Sequence, residues 1–152
     1  MSHDTRRIPP GQAISLFWSC TFKGWLHRVW ARITRHSSRL LDLDETLKSG
    51  EVIGSHYGGI QPVDIHDIHG TQGKADAFDD SFYPTGTSTR TRWLSIAKAR
   101  LLGRELPPIE LVLINGIYYV RDGHHRVSVA NMMGQDYLDA EITVVKMHQR
   151  IL

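Results

Sequence analysis

Five consecutive residues concentrate side chains that can hold an anion or move a proton. They are Asp122, Gly123, His124, His125 and Arg126, and they follow directly on a run of alternating apolar residues. The imidazoles and the guanidinium can donate hydrogen bonds to phosphate oxygens, and Gly123 lets the backbone approach a ligand closely. Asp122 is suited to cap the next helix, to orient a histidine or to help hold a metal ion. We call this segment the 122–126 box.

The place of the box in the chain favours an anion site. A helix is predicted over residues 125–133 and is closed by Gly134, so the box lies at a helix N-terminus. Unpaired N–H groups and the helix dipole make such a terminus electropositive, and cations there cost about 0.3 kcal/mol or more. Three cationic or titratable side chains at this point therefore predict a bound phosphate. In the alternative interpretation, Asp122 only caps the helix, Gly123 only forms the turn, and the histidines pair with surface carboxylates.

Residues 60–145 resemble the ParB/sulfiredoxin superfamily, most clearly between Pro108 and Arg126. This stretch has a strand that begins Pro108-Ile-Glu-Leu, a hairpin, and a box that ends in arginine before a helix. In the superfamily, the box contacts nucleotide phosphates. The resemblance implies an α+β fold with a small mixed sheet and helices, and it implies a nucleotide-binding core.

The residues of the box differ between branches of this superfamily. ParB partition proteins, which bind and hydrolyse CTP, carry a G-E-R-R type of box, and sulfiredoxins carry G-C-H-R with a nucleophilic cysteine. A free-serine kinase branch, which transfers a phosphoryl group from a nucleotide, carries D-G-H-H-R, as this chain does. His124 stands where a sulfiredoxin needs its cysteine, and Cys20 is remote in the sequence, so sulfinic acid repair is not expected.

The resemblance and the box together predict a nucleotide-binding domain that acts as a phosphotransferase or a nucleoside triphosphatase. Asp122, His124 and His125 are the expected catalytic residues, and residues 123–126 are expected to contact the phosphates. A nucleoside di- or triphosphate would bring Mg²⁺ with it, because phosphoryl transfer depends on positioning and charge neutralisation.

Two further patterns contain residues that could contact phosphate or metal. Arg90 and Arg92 follow a hydroxyl-rich segment at a helix start, where they either bind phosphate oxygens or are exposed residues of a capped helix. His66 and His69 have no third ligand in a convergent arrangement, so a bound transition metal is not expected.

The general base is predicted only as a set of carboxylates. The kinase branch uses a carboxylate near the first strand to activate the acceptor hydroxyl. Asp79 and Asp80 lie in a long predicted loop, where a part in closing over substrate is expected, and Glu110 lies in a predicted strand. Asp67 and Asp76 are also available. The chain has no G-x-x-x-x-G-K-[ST] motif, which excludes a P-loop nucleotide site.

The elements that must position the box form a small α+β domain. Strands are predicted over residues 63–68, 109–114, 117–120 and 140–145, and helices over 89–102 and 125–133. Asn115-Gly116 is the turn of a hairpin between the second and third strands. Residues 54–62 hold three glycines and a proline and are predicted as a break. We therefore expect an arm over residues 1–54 and a core over residues 55–152.

The arm is predicted to be a basic, aromatic helix over about residues 13–41. One face carries the apolar residues Phe22, Leu26, Val29, Trp30 and Ile33, and another carries Arg28, Arg32, Arg35 and Arg39. The arm either packs on the core or on a second copy as a homodimer, lies on an anionic membrane surface, or binds nucleic acid through its arginines. The last interpretation gives an alternative function, a DNA-associated module or regulator without catalysis.

Composition limits the class of protein. The 152 residues are 41% hydrophobic and 22% charged, which indicates one globular domain with an arm. Residues 1–40 carry seven basic side chains and one acid, whereas the other 112 residues carry 11 basic and 15 acidic ones. The single cysteine excludes an intramolecular disulfide and a cysteine-rich zinc site. No apolar run approaches the roughly 18 residues of a membrane span, so a soluble, cytoplasmic protein is expected.

Overall fold

A computed structural model describes residue 9 and residues 11–150, and these form four α-helices, six β-strands and one short 3₁₀ turn. The helices are α1 (Gln12–Thr34), α2 (Leu43–Lys48), α3 (Arg90–Leu101) and α4 (His124–Met132). The strands are β1 (Leu41–Asp42), β2 (Gly50–Asp64), β3 (Ile68–Thr71), β4 (Ile109–Ile114), β5 (Ile117–Asp122) and β6 (Tyr137–Gln149). The 3₁₀ turn covers Ile65–Asp67.

The six strands form one mixed sheet in the order β1-β3-β5-β4-β6-β2. β3 is parallel to both β1 and β5, and β4 is parallel to β6, whereas the pairs β4–β5 and β2–β6 are antiparallel. The predicted hairpin turn at Asn115 and Gly116 is confirmed, with φ of 51° and 79°. The mixed sheet with helices and an N-terminal helix confirms the α+β prediction.

The core has three apolar clusters, of which the smallest holds α2 against the sheet through Leu43. The largest one joins sheet residues such as Ile109, Leu111 and Val120 to Val127 of α4. The second joins α1, α3 and α4 and contains Phe17, Cys20, Trp93, Ala97 and Val129. Trp93 is fully buried, and its indole N–H donates to Ser128 at 2.9 Å, so its one polar atom is satisfied. The inner side of α1 is therefore part of a packed core.

The predicted break over residues 54–62 is wrong, because β2 runs through it and pairs with β6 from Gly50 to Asp64. The pairing shifts register between Val52 and Gly54 and again between Tyr57 and Ile60. Glycines that suggest a break thus occupy irregular positions of a bulged strand. The division into residues 1–54 and 55–152 stays a prediction, with this strand crossing it.

The first helix ends earlier than predicted, at Thr34 rather than near residue 41. Arg35 adopts a left-handed conformation with φ 56°, and its N–H donates to the carbonyls of α1. Arg39 lies beyond the helix, so the predicted arginine stripe does not continue along one helical face. On the inner face, Gly24 lies so close to Tyr83 that a Cβ atom would come within 2.6 Å of it.

The predicted strand over residues 63–68 is also wrong in part. The Asp64 carboxylate accepts the N–H of His66 at 2.9 Å and starts the 3₁₀ turn that separates β2 from β3. β3 therefore begins only at Ile68 and continues into residues that the sequence assigns to a loop. Because β3 extends to Thr71, its end lies beside the end of β5.

Candidate functional site

A cavity lies where β3 and β5 end and α4 begins. The two strands are parallel neighbours, and the N–H of Gln72, just after β3, donates to the Val120 carbonyl of β5 at 2.9 Å. The cavity encloses about 270 Å³, and its lining includes the whole 122–126 box. Ligands of open α/β sheets bind in this kind of position, outside the carboxyl ends of parallel strands and at a helix N-terminus.

Gly123 makes the sharp turn from β5 into α4. Its φ is 103°, and a Cβ atom there would lie 2.5 Å from Cγ2 of Ile109. Both the backbone conformation and the contact exclude a side chain. Gly123 is itself the residue that precedes the first turn of α4, and it provides no side-chain cap.

The prediction that Asp122 caps α4 is wrong. β5 continues through Asp122, and the left-handed Gly123 directs the carboxylate towards Arg126, which donates to it at 2.8 Å. This pair is of the i, i+4 type, and the Asp122 side chain is 68% exposed. The carboxylate therefore restrains Arg126 and still faces the cavity.

His124 is held rigidly beneath the cavity. Its Nε2 lies 2.6 Å from Oγ1 of Thr71, a buried hydrogen bond between α4 and the end of β3. The ring stacks on Phe78, with 6.2 Å between ring centroids. Burial, with smaller contributions from His125 and Lys74, lowers the pKa of His124 to about 4. The ring is therefore neutral near pH 7.

His125 contacts the same phenylalanine from another direction. Its ring meets Phe78 edge to face at 5.4 Å. Burial and the nearby cations Arg92 and Lys74 lower the pKa of His125 to about 4. The sequence suggests that the histidines supply positive charge, but in the folded protein both are neutral polar groups near pH 7. The charge of the cavity comes from other residues.

Arg126 mainly supports the chain around the cavity. Its guanidinium donates to the carbonyls of Pro107 and Pro108, the latter at 2.9 Å, and to the carboxylate of Asp122. Its side chain is only 12% exposed. These contacts fasten the segment before β4 to the first turn of α4. Arg126 also contributes to the lining of the cavity.

The other cations of the cavity come from three different elements. Arg92 of α3 was among the predicted phosphate contacts, whereas Lys74, after β3, and Arg121, in β5, were not. No carboxylate lies within ion-pair distance of these three in the part of the chain that the structure describes. Gln72 and Ser95 add neutral polar groups to the lining.

The position of the two unpredicted cations depends on where β3 ends. Lys74 and Arg121 come close only because β3 and β5 are parallel neighbours, with Thr71 opposite Val120. Since β3 ends at Thr71 and not at residue 68, the residues just after it lie at the same edge of the sheet as the box.

The remaining site predictions fall elsewhere in the fold. Arg90 lies over the ring of Trp18 at 5.5 Å, away from the cavity lining. Glu110 pairs with Asp122 across the β4–β5 ladder, but it does not line the cavity. Asp67 belongs to the 3₁₀ turn, and Asp76 is an exposed loop residue.

Asp79 and Asp80, two of the carboxylates predicted as candidate bases, join their loop to α1. The buried carboxylate of Asp79 accepts the N–H groups of Ser81 and Tyr83 and the guanidinium of Arg28, at 2.9 to 3.2 Å. Burial raises the pKa of Asp79. Asp80 bonds His27 of α1 at 2.7 Å. Neither carboxylate lines the cavity beside the box.

Two sets of neighbouring residues are of types that bind metals, but side chains in each set hydrogen-bond to other protein groups. Ligand atoms of His27, Asp79 and Asp80 lie within 4.8 Å of one another, yet Arg28 and backbone N–H groups already fill the Asp79 carboxylate. His66 and His69, where no metal site is expected, are the second set, and His66 bonds the Asp64 carboxylate at 2.8 Å. These arrangements are explained by their own hydrogen bonds.

The lone cysteine is remote from this chemistry. Cys20 lies fully buried in the cluster formed by α1, α3 and α4. Burial raises its pKa to about 12, so the thiol stays protonated. Only a thiolate is a good nucleophile, and Cys20 is therefore unsuited to covalent catalysis.

Comparisons with known proteins add little to this description. No protein-family model matches the chain, and no curated protein sequence matches it. Among solved structures, the crystal structure of sulfiredoxin from Arabidopsis thaliana is similar in backbone shape, with a TM-score of 0.42 and 16% sequence identity. The matched region covers 55% of this chain and 82% of that one.

Proposed function

We propose that the cavity binds the phosphate groups of a nucleoside di- or triphosphate. The observation that carries the proposal is the convergence of Lys74, Arg92 and Arg121 on the N-terminus of α4. Among the described residues of the lining, the one carboxylate is Asp122, and Arg126 already neutralises it. Such a cavity is electropositive, and free N–H groups at a helix N-terminus favour an anion further.

The size of the cavity suggests how a nucleotide would lie. Its volume of about 270 Å³ is just below the roughly 300–1,000 Å³ typical of sites that enclose a whole drug-sized ligand. A chain of two or three phosphates would occupy the cavity, while the sugar and base would extend over the rim. We therefore expect the protein to recognise the phosphates strongly and the base more weakly.

The donor set also suits Mg²⁺. Magnesium in proteins is commonly bound by one or two carboxylates together with substrate phosphates and water. Asp122 offers an exposed carboxylate in the lining, of which Oδ2 accepts from Arg126. Mg²⁺ would neutralise phosphate charge, and Asp122 is the residue that would hold it.

As the reaction, we propose transfer of a phosphoryl group to a hydroxyl compound or to water. Lys74, Arg92 and Arg121 would stabilise the charge that develops on the transferred group. His125 is the proposed proton acceptor, because a phosphate anion beside it raises its pKa from about 4 towards neutrality. His124 would position His125 and the first turn of α4. We give Asp79, Asp80 and Glu110 no part in this step.

Thermal stability with ligands tests the binding proposal. ATP, ADP, CTP, GTP and pyrophosphate are compared, each with and without Mg²⁺. At about 100 times its dissociation constant, a ligand should stabilise the protein by about 2.7 kcal/mol, or roughly 5–10 °C for this size. Lys74→Ala and Arg92→Ala should reduce the shift, whereas Lys98→Ala, on α3 but outside the lining, should not. A folded protein that responds to none of these ligands would contradict the proposal.

A separate assay tests the reaction. Protein that binds a nucleotide is incubated with it, and released phosphate or phosphorylated hydroxyl compounds are measured. His125→Ala should abolish product formation while the thermal shift with the same nucleotide persists. Binding without any product would leave the site as a nucleotide-binding module and reject the phosphotransferase or triphosphatase activity.

The alternative of a DNA-associated module stays a prediction. Its predicted contacts are Arg28, Arg32, Arg35 and Arg39. In the structure, Arg28 is used by Asp79, Arg35 ends α1, and Arg39 lies beyond it. This geometry gives DNA binding no specific support.

A further inference from the structure

Helix α1 has a buried face and an exposed face, and both are apolar. The buried face includes Phe17, Cys20 and Ala31. The exposed face consists of large apolar side chains that are each at least 40% exposed: Ile14, Trp18, Phe22, Trp25, Leu26, Trp30 and Ile33. Trp30 and Ile33 are the most exposed of them, at 66% and 69%. We call these seven residues the outer face of α1.

The outer face lies along one side of the helix, where the exposed Ser15 and Ser19 are the polar residues among the apolar ones. With about 100° of rotation per residue, its side chains fall within an arc of about 160° on one side of the helix. Phe22 and Trp25 stack on each other with 6.0 Å between ring centroids. Exposed apolar patches of this extent on a folded domain commonly mark a binding surface for a protein or a membrane.

The charges around this face have one sign. Between Gln12 and Thr34 the chain has no Asp or Glu. The exposed side chains of Lys23 and Arg32 lie at the two edges of the apolar arc, and Arg90 of α3 lies 5.5 Å from the Trp18 ring. The apolar surface therefore has cations along its borders and no acid on its own helix.

From this arrangement we infer that the outer face of α1 docks the protein on an anionic lipid surface. The helix would lie in the plane of the membrane interface, with its aromatic side chains between the lipid headgroups. Tryptophan is enriched at that depth, because its ring is apolar and its N–H is polar. Lys23, Arg32 and Arg90 would meet the headgroup charges.

The charges argue against a second copy of the protein, and against a nucleic acid, as the partner of this face. A second copy packed on the same face would bring Lys23 and Arg32 towards their own counterparts, with no acid on α1 to pair with them. A nucleic acid backbone needs cations across the contact, whereas the centre of this face is apolar and only its edges are basic. In the described part of the chain, no helix is long and apolar enough to cross a membrane.

Vesicle flotation with the full chain tests this inference. Phosphatidylcholine vesicles with 30% phosphatidylserine are compared with vesicles of phosphatidylcholine alone. We expect the protein to float with the anionic vesicles, with a blue shift of its tryptophan emission. The double variant Trp25→Ala/Trp30→Ala should lose flotation. The variant Lys23→Gln/Arg32→Gln should bind the anionic vesicles roughly 25-fold more weakly, about fivefold for each charge.

Controls separate docking from folding and from other partners. Tyr57→Ala removes an exposed aromatic side chain from β2 and should bind vesicles like the unchanged protein. Thermal melts should show that every variant is folded, since the replaced side chains lie outside the core. The inference is overturned if folded protein does not float with anionic vesicles. It is also overturned if light scattering shows a lipid-independent dimer that Trp25→Ala/Trp30→Ala dissociates, or if the face binds DNA and not vesicles.

Discussion

Nε2 of His124 and Oγ1 of Thr71 lie 2.6 Å apart, and both residues are buried. The hydrogen bond joins the first turn of α4 to the last residue of β3, the two elements between which the cavity forms. Its position means that the geometry of the cavity depends on a polar contact in the core. Removing only one partner of such a hydrogen bond is costly, because the other partner stays buried without a hydrogen bond.

Thr71→Val should therefore destabilise the fold. Valine keeps the shape of threonine but leaves the His124 imidazole without its partner, at a cost of about 1–3 kcal/mol. Urea unfolding of both proteins measures the difference. Thr91→Val, at an exposed position of α3, is the control and should change stability by less than about 0.5 kcal/mol. Equal effects of the two substitutions would mean that the buried bond contributes nothing specific.

The stability of the protein should fall as the pH drops from about 6.5 to about 4. His124 has a pKa of about 4 in the folded protein and an ordinary value of 6.5 when unfolded. Between these values the unfolded chain binds the proton and the folded chain does not. The uncharged His124 therefore contributes about 3 kcal/mol to the free energy of unfolding above pH 6.5. This contribution is lost as the pH falls from 6.5 to about 4.

Urea unfolding across pH 4.5–8 tests this dependence. His124→Gln is less stable at pH 7, because it loses the packed ring, but it should lose less stability on acidification than the unchanged protein. Parallel pH profiles for the two proteins would show that His124 does not titrate as described.

Gly123→Ala should cost about 2–4 kcal/mol. The left-handed backbone conformation disfavours alanine, and the new Cβ would lie 2.5 Å from Ile109, which must shift. Thermal or urea unfolding measures the loss. Gly86→Ala is the matched control, because nothing lies within 4 Å of a Cβ there. That substitution should be neutral or stabilising by up to about 1 kcal/mol.

Asp79→Ala should destabilise the protein by about 3–5 kcal/mol. It removes the acceptor of two backbone N–H groups and leaves Arg28 without the carboxylate 3.2 Å away. Asp76→Ala, in the same loop but fully exposed, should have almost no effect. A double-mutant cycle with Arg28→Ala isolates the ion pair, and a coupling near zero would show that the backbone contacts alone account for the loss.

Local signals in the sequence predict much of this fold. The Asn115-Gly116 turn fixes the β4–β5 hairpin, and the following glycine turn places the box at the start of α4, because both features depend on neighbouring residues. The sequence does not predict β2, because its glycines resemble a break and its pairing with β6 is set by residues about 85 positions away.

Only the part of the candidate site that is contiguous in the sequence can be predicted from it. The box can be recognised from its five consecutive residues. The assembly of Lys74 with Arg121, in contrast, depends on the parallel pairing of β3 and β5. The engagement of Arg126 by the Pro107 and Pro108 carbonyls depends on the path of the chain before β4. No pattern of residue types reports these contacts, because each joins segments that are distant in sequence.

The two register shifts of β2 have a consequence for solubility. β2 is an outermost strand of 15 residues, and one side of it has no neighbouring strand among the described residues. A long edge strand with regular hydrogen-bonding groups is a template for pairing with the edges of other molecules. The irregularities around Gly54 and Gly59 interrupt its hydrogen-bonding groups and increase its twist. They thus protect the sheet from edge-to-edge aggregation at the cost of a regular strand.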